Sequence, residues 1–128
     1  MIIIEQFNDN IIIKFFKKGL NKLKIMPDLF HPEAQEISLS QVLYALSDPI
    51  RLQIFSKLFD LGEEVSCSYF NSLAKKSNLS HHYKVLREAG VIYVRIEGRH
   101  RYLSLRQSDI NKRFPRLFPT IFNSYSQD

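Results

Sequence analysis

Apolar residues recur at helical spacing in five stretches of this 128-residue chain, and a β-branched run separates the last two. The clearest stretch is Lys75 to Gly90, where Leu79, His82, Tyr83, Leu86 and Ala89 share one stripe. Lys76, Ser77, Asn78, Ser80, His81, Lys84 and Arg87 fall outside it. Gly90 can adopt positive φ and so stops the helix. Val91 to Ile96 reads as a strand, Glu97 to His100 as a turn and Arg101 to Leu105 as the returning strand.

Upstream, Ile12, Phe16, Leu20 and Leu23 line one face of a basic helix over Ile12 to Lys24, opposite Lys14, Lys17, Lys18, Lys22 and Lys24. Three readings of it stay open: a dimerisation helix, which we favour, a membrane-surface helix, and an extension ahead of a natural start at Met26. The expected division is an extension over 1–25 and one domain over 26–128. Pro27 to Glu36 reads as an extended or loosely turned arm, because the residue before Pro32 disfavours helix. Ser38 or Ser40 can cap a helix over Gln41 to Leu46, with Val42, Leu43 and Leu46 inward. Ser47 or Asp48 can cap the next, which Pro49 opens. Ile50, Ile54, Leu58 and Leu61 are its stripe, and Phe55 and Phe59 widen it. Gly62 to Glu64 is a turn, and Val65 to Phe70 with Leu73-Ala74 should supply a short helix. Ser108 can cap a later helix with Asp109 in its first turn. Phe114, Leu117, Phe118, Ile121, Phe122 and Tyr125 then repeat at helical spacing, and Pro115 and Pro119 predict a kink or two short pieces. This many large apolar side chains at one end of a small domain point to a subunit interface.

The chain carries +5 overall, yet Lys75 to Arg106 alone holds eight Lys/Arg and two Glu, a net +6. Residues 25–74 hold two basic and seven acidic residues. Positive charge gathered on one helix and one hairpin is what phosphate neutralisation needs, so the pair looks like a DNA-reading helix followed by a β-wing. A single cysteine excludes an internal disulfide framework and fits a reducing cytoplasm. No apolar run approaches the ~20 residues of a membrane span. MIIIEQFND lacks a basic n-region and makes a poor signal peptide.

Three motifs in series carry a resemblance. They are Ala45 to Leu52 (ALSDPIRL), Leu79 to Gly90 (LSHHYKVLREAG), and Glu97-Gly98-Arg99 before a tyrosine-containing strand. Together, over about Leu39 to Leu105, the chain closely resembles the ArsR/SmtB family of bacterial winged helix-turn-helix regulators. The resemblance implies a mostly α fold with a small β-hairpin wing, dimeric through its terminal helices. It implies a homodimer on an operator, usually a repressor, whose affinity for double-stranded DNA often responds to a metal or small effector. The chain departs from the family pattern in a short first motif helix and in Lys75, where a capping Ser is usual.

The DNA roles follow from side-chain chemistry and position. Lys76, Ser77, Asn78 and His81 are expected at base edges and nearby phosphates, and Ser80 and Lys84 at phosphates. Arg95, Arg99, His100 and Arg101 should grip the flanking backbone or minor groove. Arg51 is read first as a salt bridge fixing its helix and second as a phosphate contact. His82, on the inward stripe, should be half-buried and hydrogen-bonded to backbone. Metal-sensing relatives typically use a cysteine pair near the first motif helix or a His/Asp/Glu set on the C-terminal helix. Here Cys67 is alone, Asp109 has no His beside it, and His31, His81, His82 and His100 lie in different elements. No metal site, cofactor or catalytic motif is therefore expected, and an enzyme is not. Two other readings remain. A ligand or redox sensor using Cys67 requires an effector-sized cavity and an accessible thiol. A protein-interaction module requires acidic cover over the basic segment.

Overall fold

The computed structural model describes residues 29–128. The expected helix over Ile12 to Lys24, the boundary at Met26 and the start of the arm lie outside the described residues. Five helices follow in order: α1 (Leu39–Ala45), α2 (Pro49–Leu61), α3 (Lys76–Glu88), α4 (Gln107–Arg113) and α5 (Leu117–Gln127). Strands β1 (Val65–Ser66), β2 (Ile92–Glu97) and β3 (His100–Leu105) form one antiparallel sheet in the order β1-β3-β2.

Local chemistry caps α1 and α2 at the residues the sequence suggests. Ser38 accepts the Gln41 amide and opens α1. Asp48 accepts the Ile50 and Arg51 amides at 2.8 and 3.1 Å, and Pro49 follows at the first helical position, where its missing N–H costs nothing. Gly62, at φ 68°, ends α2. Val42 and Ala45 of α1, Ile54, Phe55 and Leu58 of α2, and Leu79 and Leu86 of α3 meet in the core with Val91, Ile92 and Leu103. Leu43 does not point inward as expected: it is 47% exposed, and Ala45 takes the buried place. Val42, Ala45 and Leu46 stand at i, i+3 and i+4 and share the buried face, which leaves Leu43 on the flank. Leu61, read as part of the α2 stripe, is also exposed.

The segment read as a short helix over 65–74 is instead a strand and a 3-10 turn. Val65 and Ser66 pair with Leu103 and Tyr102 of β3, and Cys67–Phe70 makes the turn. Ser66 accepts the Ser68 amide, the kind of local bond that draws short polar side chains away from helix. The C-terminal segment breaks at Phe114–Arg116, with Arg116 at φ 68°, and restarts as α5. Pro119 lies in the first turn of α5, where it breaks no intrahelical bond. Ser108 does not cap; Arg106 occupies the N-cap position of α4. Phe118 packs on Phe55 at 4.9 Å and Phe122 stacks on Phe59 at 4.6 Å, which fixes α5 to α2.

Three arginines hold the arm. Arg87, Arg106 and Arg113 donate to the carbonyls of Phe30, Pro32 and Gln35 at 2.7, 2.7 and 3.1 Å. Arg87 was expected on the outward face of its helix but is buried by this contact. His31 Nε2 accepts the Val94 amide at 2.9 Å, closing one donor on the outer edge of β2.

Candidate nucleic-acid interface

The helix α3 lies between the core and solvent. Leu79 and Leu86 are buried, and Gly90 turns the chain at φ 83° into β2. Lys75 occupies the N-cap position with no side-chain cap. The first amides of α3 thus lack a side-chain acceptor, and such helix ends favour anions.

Two polar contacts set the helix on its base. Arg51 is buried and donates from Nε to the Ala45 carbonyl at 2.6 Å and from Nη1 to His82 Nδ1 at 3.0 Å. This gives Arg51 its structural role, through hydrogen bonds rather than the salt bridge expected, and leaves it no exposed face for phosphate. A guanidinium only donates, so His82 Nδ1 accepts and the ring is neutral with its proton on Nε2. His82 is half-buried as expected, but its partner is this side chain and not backbone. Burial lowers its pKa; Arg51 and His81 add to that, and Asp48, 3.9 Å away, opposes it. Burial also pushes Asp48 up, but the two amides it caps, together with the His82 and Arg51 side chains nearby, outweigh that and leave its carboxyl below the usual range. The second contact runs from Tyr83 Oη to the Cys67 carbonyl at 3.2 Å. Burial, with Cys67 beside it, pushes the Tyr83 hydroxyl up to about 12.

On the other side of α3, Lys76, Ser77, Asn78, Ser80, His81 and Lys84 are all exposed. Across from them stands the β2–β3 hairpin, turning at Gly98-Arg99. Lys76 and Ser80 of the helix and Arg99, His100 and Arg101 of the hairpin line one groove of about 650 Å³, floored by the Cys67 turn. Ser77, Asn78, His81 and Lys84 lie outside that groove on the rest of the exposed face. Ser66, Ser68 and Asn71 also line it. Ser66 and Ser68 were missed because the sequence places them in a helix; the Ser-Cys-Ser run was the available signal for a turn.

Strand alternation sorts the hairpin residues. Val94 and Leu103 are a buried cross-strand pair, and Arg101 shares their face through its pairing with Ile96. Arg95 pairs with Tyr102 on the opposite face. Its guanidinium meets Glu64 at 2.8 and 3.1 Å and Glu97 at 2.8 Å. Arg95 is absent from the groove lining, whereas His100, which shares its strand face, reaches the groove from the end of the ribbon beside Arg99. Among the described residues, no carboxylate pairs with Lys75, Lys76, Lys84, Arg99 or Arg101. Also among them, no group of three His, Cys, Asp or Glu could hold a metal. Cys67 is half-buried, and no helix is long and apolar enough to cross a membrane.

A helix seated on a helical core, with a basic face beside a β-wing, defines a winged helix-turn-helix DNA-binding protein. No protein-family model matches the chain. It is 36% identical over 84 residues to the uncharacterised HTH-type transcriptional regulator YceK of Bacillus subtilis, spanning 64% of this chain and 84% of that protein. Its structure is similar to HlyU from Vibrio cholerae, at 25% identity and a TM-score of 0.57, over 68% of this chain and 90% of that one. The fold also matches the transcriptional repressor BigR from Xylella fastidiosa, at 21% identity and a TM-score of 0.54, over 68% of this chain and 85% of that one. The chain belongs to the ArsR/SmtB family of HTH-type, DNA-binding transcriptional regulators.

Proposed function

We propose that this regulator acts in the cytoplasm as a homodimeric repressor on an inverted-repeat operator, and not as an enzyme. The observation that carries the DNA-contact assignment is the uncovered charge. Of eight Lys/Arg in the basic segment, six have no carboxylate partner among the described residues; Arg87 is buried on the Phe30 carbonyl, and the other five are exposed on α3, its N-cap or the wing. A protein-interaction module with acidic cover is disfavoured for the same reason. Lys76, Ser77, Asn78 and His81 take base edges and nearby phosphates. Ser80 and Lys84 take phosphates, and Arg99, His100 and Arg101 grip the flanking backbone or minor groove.

The dimer rests on a second observation. Leu39, Leu43 and Tyr44 are 43%, 47% and 64% exposed on α1. Leu43 also lines a cleft with Ile121 and Tyr125 of α5, so the two helices make one apolar face. Such a face on a small domain marks an interaction surface. Two copies joined there present two α3 helices, which is why an inverted repeat is the expected target. Residues 1–25 are read as an extension of the 26–128 domain that adds to this interface.

One experiment tests the DNA roles. Bound sequences are selected from a random DNA pool, and Asn78→Ala and Arg99→Ala are titrated with the selected site and with random DNA over a salt series. Asn78→Ala should cost about 1–3 kcal/mol on the selected site and relax preference at particular base pairs. Arg99→Ala should weaken all DNA alike and lower the salt slope by about one per wing. An intact specificity ratio in Asn78→Ala, with loss of it in Arg99→Ala, would reverse the two roles. Selection without an inverted repeat would remove the dimeric operator.

A further inference from the structure

Arg95 is the one wing arginine that the groove does not use. It lies on the outer face of the sheet and spans it. From β2 it stacks over the Tyr102 ring of β3 at 4.6 Å and reaches Glu64, the residue before β1. Two donors engage both Glu64 oxygens, Nη2 at 2.8 Å and Nε at 3.1 Å, and Nη1 holds Glu97 at 2.8 Å. A planar fork matched to a carboxylate fixes direction as well as distance.

The place of this contact matters more than its strength. β1 pairs only with Leu103 and Tyr102, so the Arg95–Tyr102 rung is the last one with three strands. Beyond it, Ile96–Arg101 and Glu97–His100 continue as a two-stranded ribbon carrying Arg99 at its turn. A two-stranded ribbon is marginal alone. Its angle to the helical body is set at its root, where Arg95 fastens it to the turn after α2.

We propose that Arg95 is a positioning residue: bound by Glu64 and Glu97, it fixes the angle at which the wing presents Arg99 and Arg101 to the duplex, and it makes no phosphate contact itself. This rests on the DNA-binding reading above.

Charge exchange in the full chain tests it. Operator binding is titrated over a salt series for wild type, Arg95→Ala, Glu64→Gln, Arg95→Glu and the double variant Glu64→Arg/Arg95→Glu. Amide exchange at Ile96–Arg101 is followed in parallel. Arg95→Ala and Glu64→Gln should each weaken binding by about two- to fivefold, the scale expected of an exposed pair, with the salt slope unchanged. Both should speed exchange in the ribbon. Arg95→Glu should lose more, and the double variant should recover affinity to within about twofold of wild type and restore slow exchange. A phosphate contact gives the opposite pattern, and any part of it overturns the proposal. Arg95→Ala would lower the slope by about one per wing, Glu64→Gln would tighten binding, and the double variant would stay weak. Unchanged affinity and exchange in every variant overturns it too. Failure of the wild type to bind any duplex would instead sink the DNA-binding reading, which the first titration decides by itself.

Discussion

At the scale of single residues, Gly90 carries the tightest requirement. It ends α3 at φ 83°, and a Cβ built on it would stand 2.5 and 2.6 Å from Ile37 Cγ1 and Cδ1. Ile37 is 1% exposed and has nowhere to retreat. Gly62 shares the left-handed backbone, at φ 68°, but has no atom within 4 Å of such a Cβ. The two sites separate conformation from packing. Gly62→Ala should cost about 1–2 kcal/mol for the backbone alone. Gly90→Ala should add about 1–3 kcal/mol of overpacking to a similar cost. Urea unfolding of both variants gives the comparison, and equal losses would show that Ile37 yields. The helix-stopping role of Gly90 was legible in the sequence, because it ends a periodic stretch. Its contact with Ile37, 53 positions away, was not.

At the scale of elements, α3 hangs on a neutral histidine. Arg51 of α2 bridges the end of α1 to His82 of α3, and Asp48 and His81 complete the charged surroundings of that ring. A proton on Nδ1 would remove the acceptor and set two cations 3.0 Å apart. The folded pKa lies below the ordinary 6.5, so the unfolded chain takes up the proton first on acidification. This contribution to stability is therefore complete above pH 6.5 and falls as pH drops from there through the lowered folded value. Glu64 and Asp109, held down by hydrogen bonds from Arg95 and Arg106, add a further loss only at more acid pH. Urea melts of wild type and His82→Gln at half-unit steps from pH 7.5 to 5 should show a steeper acid loss in wild type. Identical slopes, or an imidazole titration above 6.5 by NMR, would remove this role.

For the whole molecule, the question is which surface is unfinished. The α1–α5 face carries exposed leucine and tyrosine, whereas the α3–wing face carries uncovered charge. The first suits a second copy and the second a polyanion. Leu43 is 47% exposed, so Leu43→Glu should leave the fold intact and still break the proposed dimer. Light scattering should give a dimer for wild type at micromolar concentration and a monomer for the variant, with operator affinity falling by at least about tenfold as one half-site is lost. A wild-type monomer would end the proposal.

Helices α1, α2 and α3, the wing and the family were legible in the sequence, because caps, turns and apolar periodicity are local signals that one stretch of chain carries alone. Asp48-Pro49, the α3 stripe and Glu97-Gly98-Arg99 were of that kind. The short first motif element was misread because Val65 and Ser66 take their conformation from β3, nearly forty residues away. Distance along the chain hid the rest. Tertiary structure alone decided that Arg51 meets His82, that Arg87, Arg106 and Arg113 hold the arm's carbonyls, and that Arg95 turns to Glu64 while Arg101 faces the groove. An arginine in a basic segment has the same composition whether it will meet phosphate, carbonyl or carboxylate. Its partner is chosen by which long-range contacts the folded chain brings within reach.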